Sequence, residues 1–144
     1  MVSSGQTYFL TNKKSQTVCD LSGDDQTSVI GFTAQGSDNQ KWKVQDTGNG
    51  WTLQNIFNKK YLDFDKSQGT SPGNGTKVVA VETNSPCTWD IRPDQNDSNA
   101  YRIFVRGSNF NVDLSDHGNP NPNTPVTLWE KWEGENQVWS FKEA

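Results

Sequence analysis

Asn-Gln-x-Trp occurs twice in this chain, as "NQKW" at 39–42 and "NQVW" at 136–139, and a degraded copy, "PCTW" at 86–89, lies between them. Trp42, Trp89 and Trp139 therefore recur with a period of roughly 50 residues, the scale of a repeated supersecondary unit. The register holds elsewhere. Tyr8, Trp51 and Tyr101 each open a copy, and Leu10, Leu53 and Ile103 follow two positions later. "CDL" at 19–21 aligns with "LDF" at 62–64 and "VDL" at 112–114, while Val44, Ile91 and Phe141 repeat one apolar position after the Trp. Asp20 precedes its Trp by 22 residues, and Asp63 and Asp113 precede theirs by 26, so the first copy has a shorter loop.

Each copy is made of short strands. Fifteen Asn against four Ala leave little room for helix, because Asn side chains compete for backbone hydrogen bonds and favour turns. Gly, Pro, Ser and Asn interrupt every window long enough for a stable helix. The alternating runs are "YFLTN", "WKVQ", "WTLQNI", "KYLDF", "KVVAV", "WDIR", "YRIFV", "VTLW" and "WSFK". Short strands between regular turn signals indicate an all-β chain. About four strands in each of three copies describe a β-trefoil. The expected unit is one domain, 1–144, with pseudo-symmetric repeats at about 8–50, 51–100 and 101–144. The three Trp should meet near the threefold axis and fill the core, and the motif Gln should satisfy buried backbone groups at the adjoining turn. Cys19 aligns with Leu62 and Val112 and is expected to be a small core residue.

Composition narrows the function. Only 31% of residues are hydrophobic, so six Trp and seven Phe must supply the bulk of the core. A formal charge of −4 argues against nucleic acid as a partner. No apolar run is long enough for a membrane span, so membrane insertion is not expected. "MVSSGQTYFL" lacks the basic and apolar regions of a secretory signal. The expectation is a cytoplasmic protein in which Cys19 and Cys87 stay reduced and "NGT" and "NDS" are turns. One His, no G-x-S-x-G, no H-E-x-x-H and no phosphate loop give no basis for an enzyme or a cofactor. Asp24-Asp25 lacks the spacing of a calcium loop, so no metal is expected.

Three Trp motifs in register, each with an upstream Asp, resemble the ricin-B-like (R-type) lectins, and in length and N-terminus the chain is similar to their mushroom members. The likeness spans residues 8 to 142. It implies shallow galactose-type sites, each built from the Asp, an aromatic before the Trp turn, and the Asn before Gln. Carried over, the first repeat supplies Asp20, Gly23, Phe32, Asn39 and Gln40. The third supplies Asp113, Trp129, Asn136 and Gln137, with His117 and Trp132 on nearby loops and Asp116 where a glycine is expected. The second keeps Asp63, but Val79 stands at the platform position and Pro86-Cys87 replace Asn-Gln, so its site is expected to be dead.

Physical chemistry suits these types. A carboxylate accepts charge-assisted bonds from vicinal hydroxyls, an Asn amide both donates and accepts, and an aromatic ring covers the C–H face that an axial 4-hydroxyl leaves apolar. The expected partners are galactosyl or N-acetylgalactosaminyl glycans, and the resemblance also allows a homodimer. A β-trefoil protease inhibitor acting through "KSQGTSPGNGTK" (66–77) is the alternative.

Overall fold

The computed structural model describes all 144 residues. Twelve strands follow one another: β1 (Thr7–Asn12), β2 (Val18–Leu21), β3 (Val29–Phe32), β4 (Trp42–Asp46), β5 (Trp51–Asn55), β6 (Tyr61–Phe64), β7 (Val78–Val81), β8 (Trp89–Asp94), β9 (Asp97–Val105), β10 (Phe110–Leu114), β11 (Thr124–Glu130) and β12 (Trp139–Glu143). Six of them close a ring of antiparallel pairs in the order β1–β4–β5–β8–β9–β12 and back to β1. Closure leaves no free edge to pair with another chain. The other six form three hairpins, β2–β3, β6–β7 and β10–β11. Adjacent hairpins meet through Thr124↔Gly31, Ser28↔Val79 and Lys77↔Thr127. A six-stranded barrel with a triangular cap of hairpins is the β-trefoil.

All nine alternating runs fall on strands. Tyr8, Trp51 and Tyr101 pair with Trp42, Trp89 and Trp139 in turn, and β9 extends back to Asp97, four residues before Tyr101. The strands without an alternating signal are β2, β3 and β10, three of the six in the cap. Their burial patterns explain this: β2 is buried at all four positions and β10 at its last four. A strand covered on both faces has no polar side to alternate with.

Trp42, Trp89 and Trp139 are at most 1% exposed and lie in one cluster with Leu10, Leu53, Ile103, Cys19, Leu62 and Val112. Each indole also has a polar task. Nε1 donates to the backbone carbonyl of Cys19 at 3.0 Å, of Leu62 at 3.2 Å and of Val112 at 3.0 Å. Those carbonyls belong to the residues immediately before Asp20, Asp63 and Asp113. Each Trp therefore fills the core and staples the strand that presents the Asp. Truncating one to Ala would cost about 3–5 kcal/mol in stability.

Candidate functional site

Stapling of β2 and β10 fixes the backbone of the Asp; the Gln three residues before Trp-plus-one fixes its side chain. Gln40 Nε2 donates to Asp20 Oδ2 at 2.8 Å and to the Thr33 carbonyl at 2.9 Å, while its Oε1 accepts from Gln35 N at 2.8 Å. Gln137 repeats this with Asp113 Oδ2 at 2.9 Å, the Glu130 carbonyl at 3.0 Å and Trp132 N at 3.0 Å. Both Gln side chains are completely buried. The carried-over assignment of Gln40 and Gln137 as sugar contacts is thus corrected: no surface remains for a ligand, and each holds a carboxylate instead. The turn residues they were expected to satisfy are among their partners.

With Oδ2 held by Gln, Asp20 and Asp113 each have Oδ1 left to face the cavity, with the Asn39 amide close to Asp20 and the Trp132 and Asn136 side chains close to Asp113. Both line cavities, and both carboxyls are raised from their ordinary value, chiefly by burial. The donors Gln40 and Asn39 oppose the shift at Asp20. At Asp113 Gln137, Trp132 and Asn136 oppose it, together with the charge of His117.

The third-repeat cavity measures about 510 Å³ and is lined by Asp113, Asn136, Trp129, Trp132, His117 and Asp116 together with Ser115, Thr127 and Gly75. Trp129 and Trp132 are both 43% exposed, large apolar faces left open to solvent. The His117 ring stands edge-on to Trp132 with centroids 6.0 Å apart. Asn136 Nδ2 donates to the Leu114 carbonyl at 3.1 Å, and its Oδ1 has no protein partner. Gly134 makes this arrangement possible, because a Cβ there would collide with Trp132 Cζ2 and Asn136 Oδ1.

Asp116 and His117 both adopt left-handed backbone, with φ 53° each. Asp116 is tied down by Asn119 Nδ2, which donates to its Oδ2 at 2.9 Å. Its counterpart Gly23 has no positive φ and open space around its Cα. The loop shapes differ, yet both loops border a cavity.

The first-repeat cavity, about 400 Å³, is lined by Asp20, Gly23, Phe32 and Asn39 with Ser22, Asp24, Ile30, Gln35 and Asn123. Phe32 is half-buried. Asn39 Nδ2 donates to the Leu21 carbonyl at 3.1 Å, and its Oδ1 already accepts from Ser37 Oγ at 2.6 Å. Gln35 occupies the place held by Trp132 in the third repeat.

In the second repeat, Asp63 Oδ1 accepts from Phe64 N at 2.7 Å and pairs with Lys66 Nζ at 3.2 Å. Strand register corrects one reading here. Asp20, Asp63 and Asp113 face Ile30, Val79 and Thr127, so the residue equivalent to Phe32 and Trp129 is Val81. Val79 was misplaced because the connection from β7 to Trp89 is two residues shorter than in the other copies. An aliphatic side chain stands at the platform position either way.

Each cavity also borrows a wall. Asn123, from the third repeat, lines the first site and donates its N–H to the Gly31 carbonyl at 3.0 Å. Gly75, from the second repeat, lines the third; its N–H donates to the Leu128 carbonyl at 2.8 Å, and Asn74 Oδ1 accepts from Glu130 N at 2.8 Å. In the same sense, Ala80 N donates to the Thr27 carbonyl at 2.8 Å beside the second site. Ile30 and Thr127 could have been found from hairpin register, since they face the Asp. Gly75 and Asn123 carry no local signal.

The model of the family described as ricin-type β-trefoil lectin domain-like matches residues 1–80 and, one repeat further on, 38–129. The chain belongs to this family. Two overlapping matches are what a threefold repeat produces. Among solved structures, the ricin B-like lectin of Macrolepiota procera, in complex with lactose, is 44% identical with a TM-score of 0.93, covering 100% of this chain and 99% of that one. The Rhizoctonia solani agglutinin is 28% identical with a TM-score of 0.85, at 100% and 99% coverage. A pierisin of Pieris brassicae is 29% identical over 121 residues, 77% of this chain; the match spans 14% of that protein's length. Carbohydrate binding is the activity that membership of this lectin family and its lectin neighbours support.

Proposed function

We propose that the protein is a lectin for glycans ending in galactose or N-acetylgalactosamine, such as lactose, N-acetyllactosamine or N,N′-diacetyllactosediamine ends, and that it acts in defence by binding foreign glycans. One observation carries the reading: Asp113, Asn136 and the open Trp129 face border a single cavity. Asp113 Oδ1 accepts from one sugar hydroxyl and Asn136 Oδ1 from its neighbour, while an indole covers the apolar face. Stacking of about 0.5–1.5 kcal/mol and charged hydrogen bonds of roughly 1.5–3 kcal/mol, less immobilisation costs, correspond to a Kd on the order of 1 mM. The lactose held by the Macrolepiota lectin supports the galactoside class.

The third repeat is the stronger site and the first the weaker. Asn136 has a free oxygen where Asn39 shares its own with Ser37, and two indoles stand where the first repeat offers Phe32 and Gln35. In the candidate inhibitory loop 66–77, residues 74–77 are bonded to β11 and Gly75 walls the third site, which ties that end of the loop to the cavity and favours the lectin reading. Two sites per chain, or more in a homodimer, turn weak contacts into useful avidity.

Lactose titration of the wild type, Asp20→Ala, Asp113→Ala and the double variant tests this. Asp113→Ala should remove the tighter component, Asp20→Ala the weaker, and the pair all binding with the fold intact. Undiminished binding by the folded double variant would refute the assignment.

A further inference from the structure

Arg102, on β9, is only 4% exposed. Its Nε donates to Asp94 Oδ1 at 3.0 Å, closing a buried ion pair. Its Nη1 donates to Asn111 Oδ1 at 3.2 Å and to Gln137 Oε1 at 2.8 Å. A guanidinium has donors and no acceptor. The Gln137 amide therefore sits with its oxygen toward Arg102, and that orientation turns Nε2 onto Asp113 Oδ2 at 2.9 Å. In the first repeat, Gln40 Oε1 receives a single neutral donor, the backbone N–H of Gln35.

We propose that Arg102 is a positioning residue for the third-repeat sugar site: it orients and polarises the Gln137 amide, and through it holds Asp113 with one oxygen turned to the ligand. This rests on reading that cavity as a sugar site. A charged donor makes the stronger hydrogen bond, and bonds in series reinforce one another, so the hold on Asp113 is tighter than that on Asp20. The charged groups around Asp113 are His117 and Asp116 on the loop after β10, and Arg102 acting from β9 through Gln137. Of these, Arg102 alone reaches the carboxylate through a motif residue.

The test uses the full chain carrying Asp20→Ala, so that lactose reads the third site alone, with Trp129 and Trp132 fluorescence as reporter. No lactose binding in that parent would mean that the sugar reading itself fails. Arg102→Met is made with Asp94→Asn, which avoids an orphaned buried carboxylate. Lactose affinity should fall about three- to tenfold, the loss of one supporting hydrogen bond. The midpoint of acid loss of binding should move to higher pH, since Asp113 would have lost a polarised donor. Asp94→Asn alone should change neither. A folded double variant with parental affinity and midpoint would overturn the proposal, as would the full loss from Asp94→Asn alone. Should the double variant not fold, the wild type decides: the Gln137 side-chain amide protons should exchange more slowly than those of Gln40, and equal rates would overturn it.

Discussion

Gly134→Ala should disable the third site while leaving the fold almost untouched. Gly134 has φ −66° and ψ 135°, values open to any residue, so alanine brings no backbone strain. Gly→Ala at such a position gains about 0.4–1 kcal/mol by restricting the unfolded chain. The cost falls on two side chains. The new methyl would overlap Trp132 Cζ2 and Asn136 Oδ1, and both groups must move. Trp132 is 43% exposed and can swing outward cheaply, whereas Asn136 is 3% exposed and risks its bond to the Leu114 carbonyl. That bond is worth about 0.5–1.5 kcal/mol, so the two stability terms nearly cancel. Binding has no such compensation. It loses the Asn136 acceptor, about 0.5–1.5 kcal/mol, and an indole contact of similar size, a total of about 1–3 kcal/mol or roughly five- to 150-fold in Kd. Ser37 occupies the equivalent position in the first repeat, where Gln35 replaces the indole, so a side chain there is compatible with the turn. Calorimetric titration with lactose in an Asp20→Ala background, beside thermal unfolding, measures both quantities. Unchanged lactose affinity would refute the steric reasoning. A fall in Tm beyond about 8 °C would show that the residue serves the fold instead.

Asp63→Ala should leave lactose binding unchanged, because its carboxylate is engaged by Phe64 N and Lys66 and no aromatic faces it; a sugar seated beside Asp63 in a soaked crystal would contradict this. Binding should fail on acidification at a higher pH than an ordinary Asp would give, since Asp20 and Asp113 are both raised by burial; titrating affinity against pH checks it. Stability should run the opposite way: for these two groups the folded carboxyl lies above the unfolded one, so their contribution is complete below the unfolded value near 3.8 and is lost as pH rises through the folded value. EDTA should not affect binding, because no three His, Cys, Asp or Glu side chains cluster in a way that could hold a metal; loss in EDTA restored by calcium would refute this.

Most of the barrel was legible because its strands have one wet face. "YFLTN" and "WKVQ" alternate, and aligned Trp residues marked the symmetry. The cap was harder: β2 and β10, which carry Asp20 and Asp113, are covered on both sides and show no period of two. Asp, Asn and the aromatics could be found by their spacing to Trp. The task of Gln40 and Gln137 could not be read from spacing alone, since burial decides between touching a ligand and holding the residue that does. Val79 was put in the place of Val81 because spacing from Trp89 ignores a two-residue contraction that strand register reveals. Gly75 and Asn123 were missed altogether, since their neighbours in space belong to a different copy of the repeat.

That borrowing puts the binding unit and the folding unit out of phase. An isolated repeat would hold an Asp and its Gln clasp but only part of a cavity, so a trimer of separate repeats would assemble each pocket at a subunit boundary. The same phase shift bears on the second copy: with Val81 for an aromatic and Pro86-Cys87 for Asn-Gln, it still shapes the pocket next door through Asn74 and Gly75. A substitution at Asn74 or Gly75 should therefore be felt one third of a turn away, in the pocket of the next repeat.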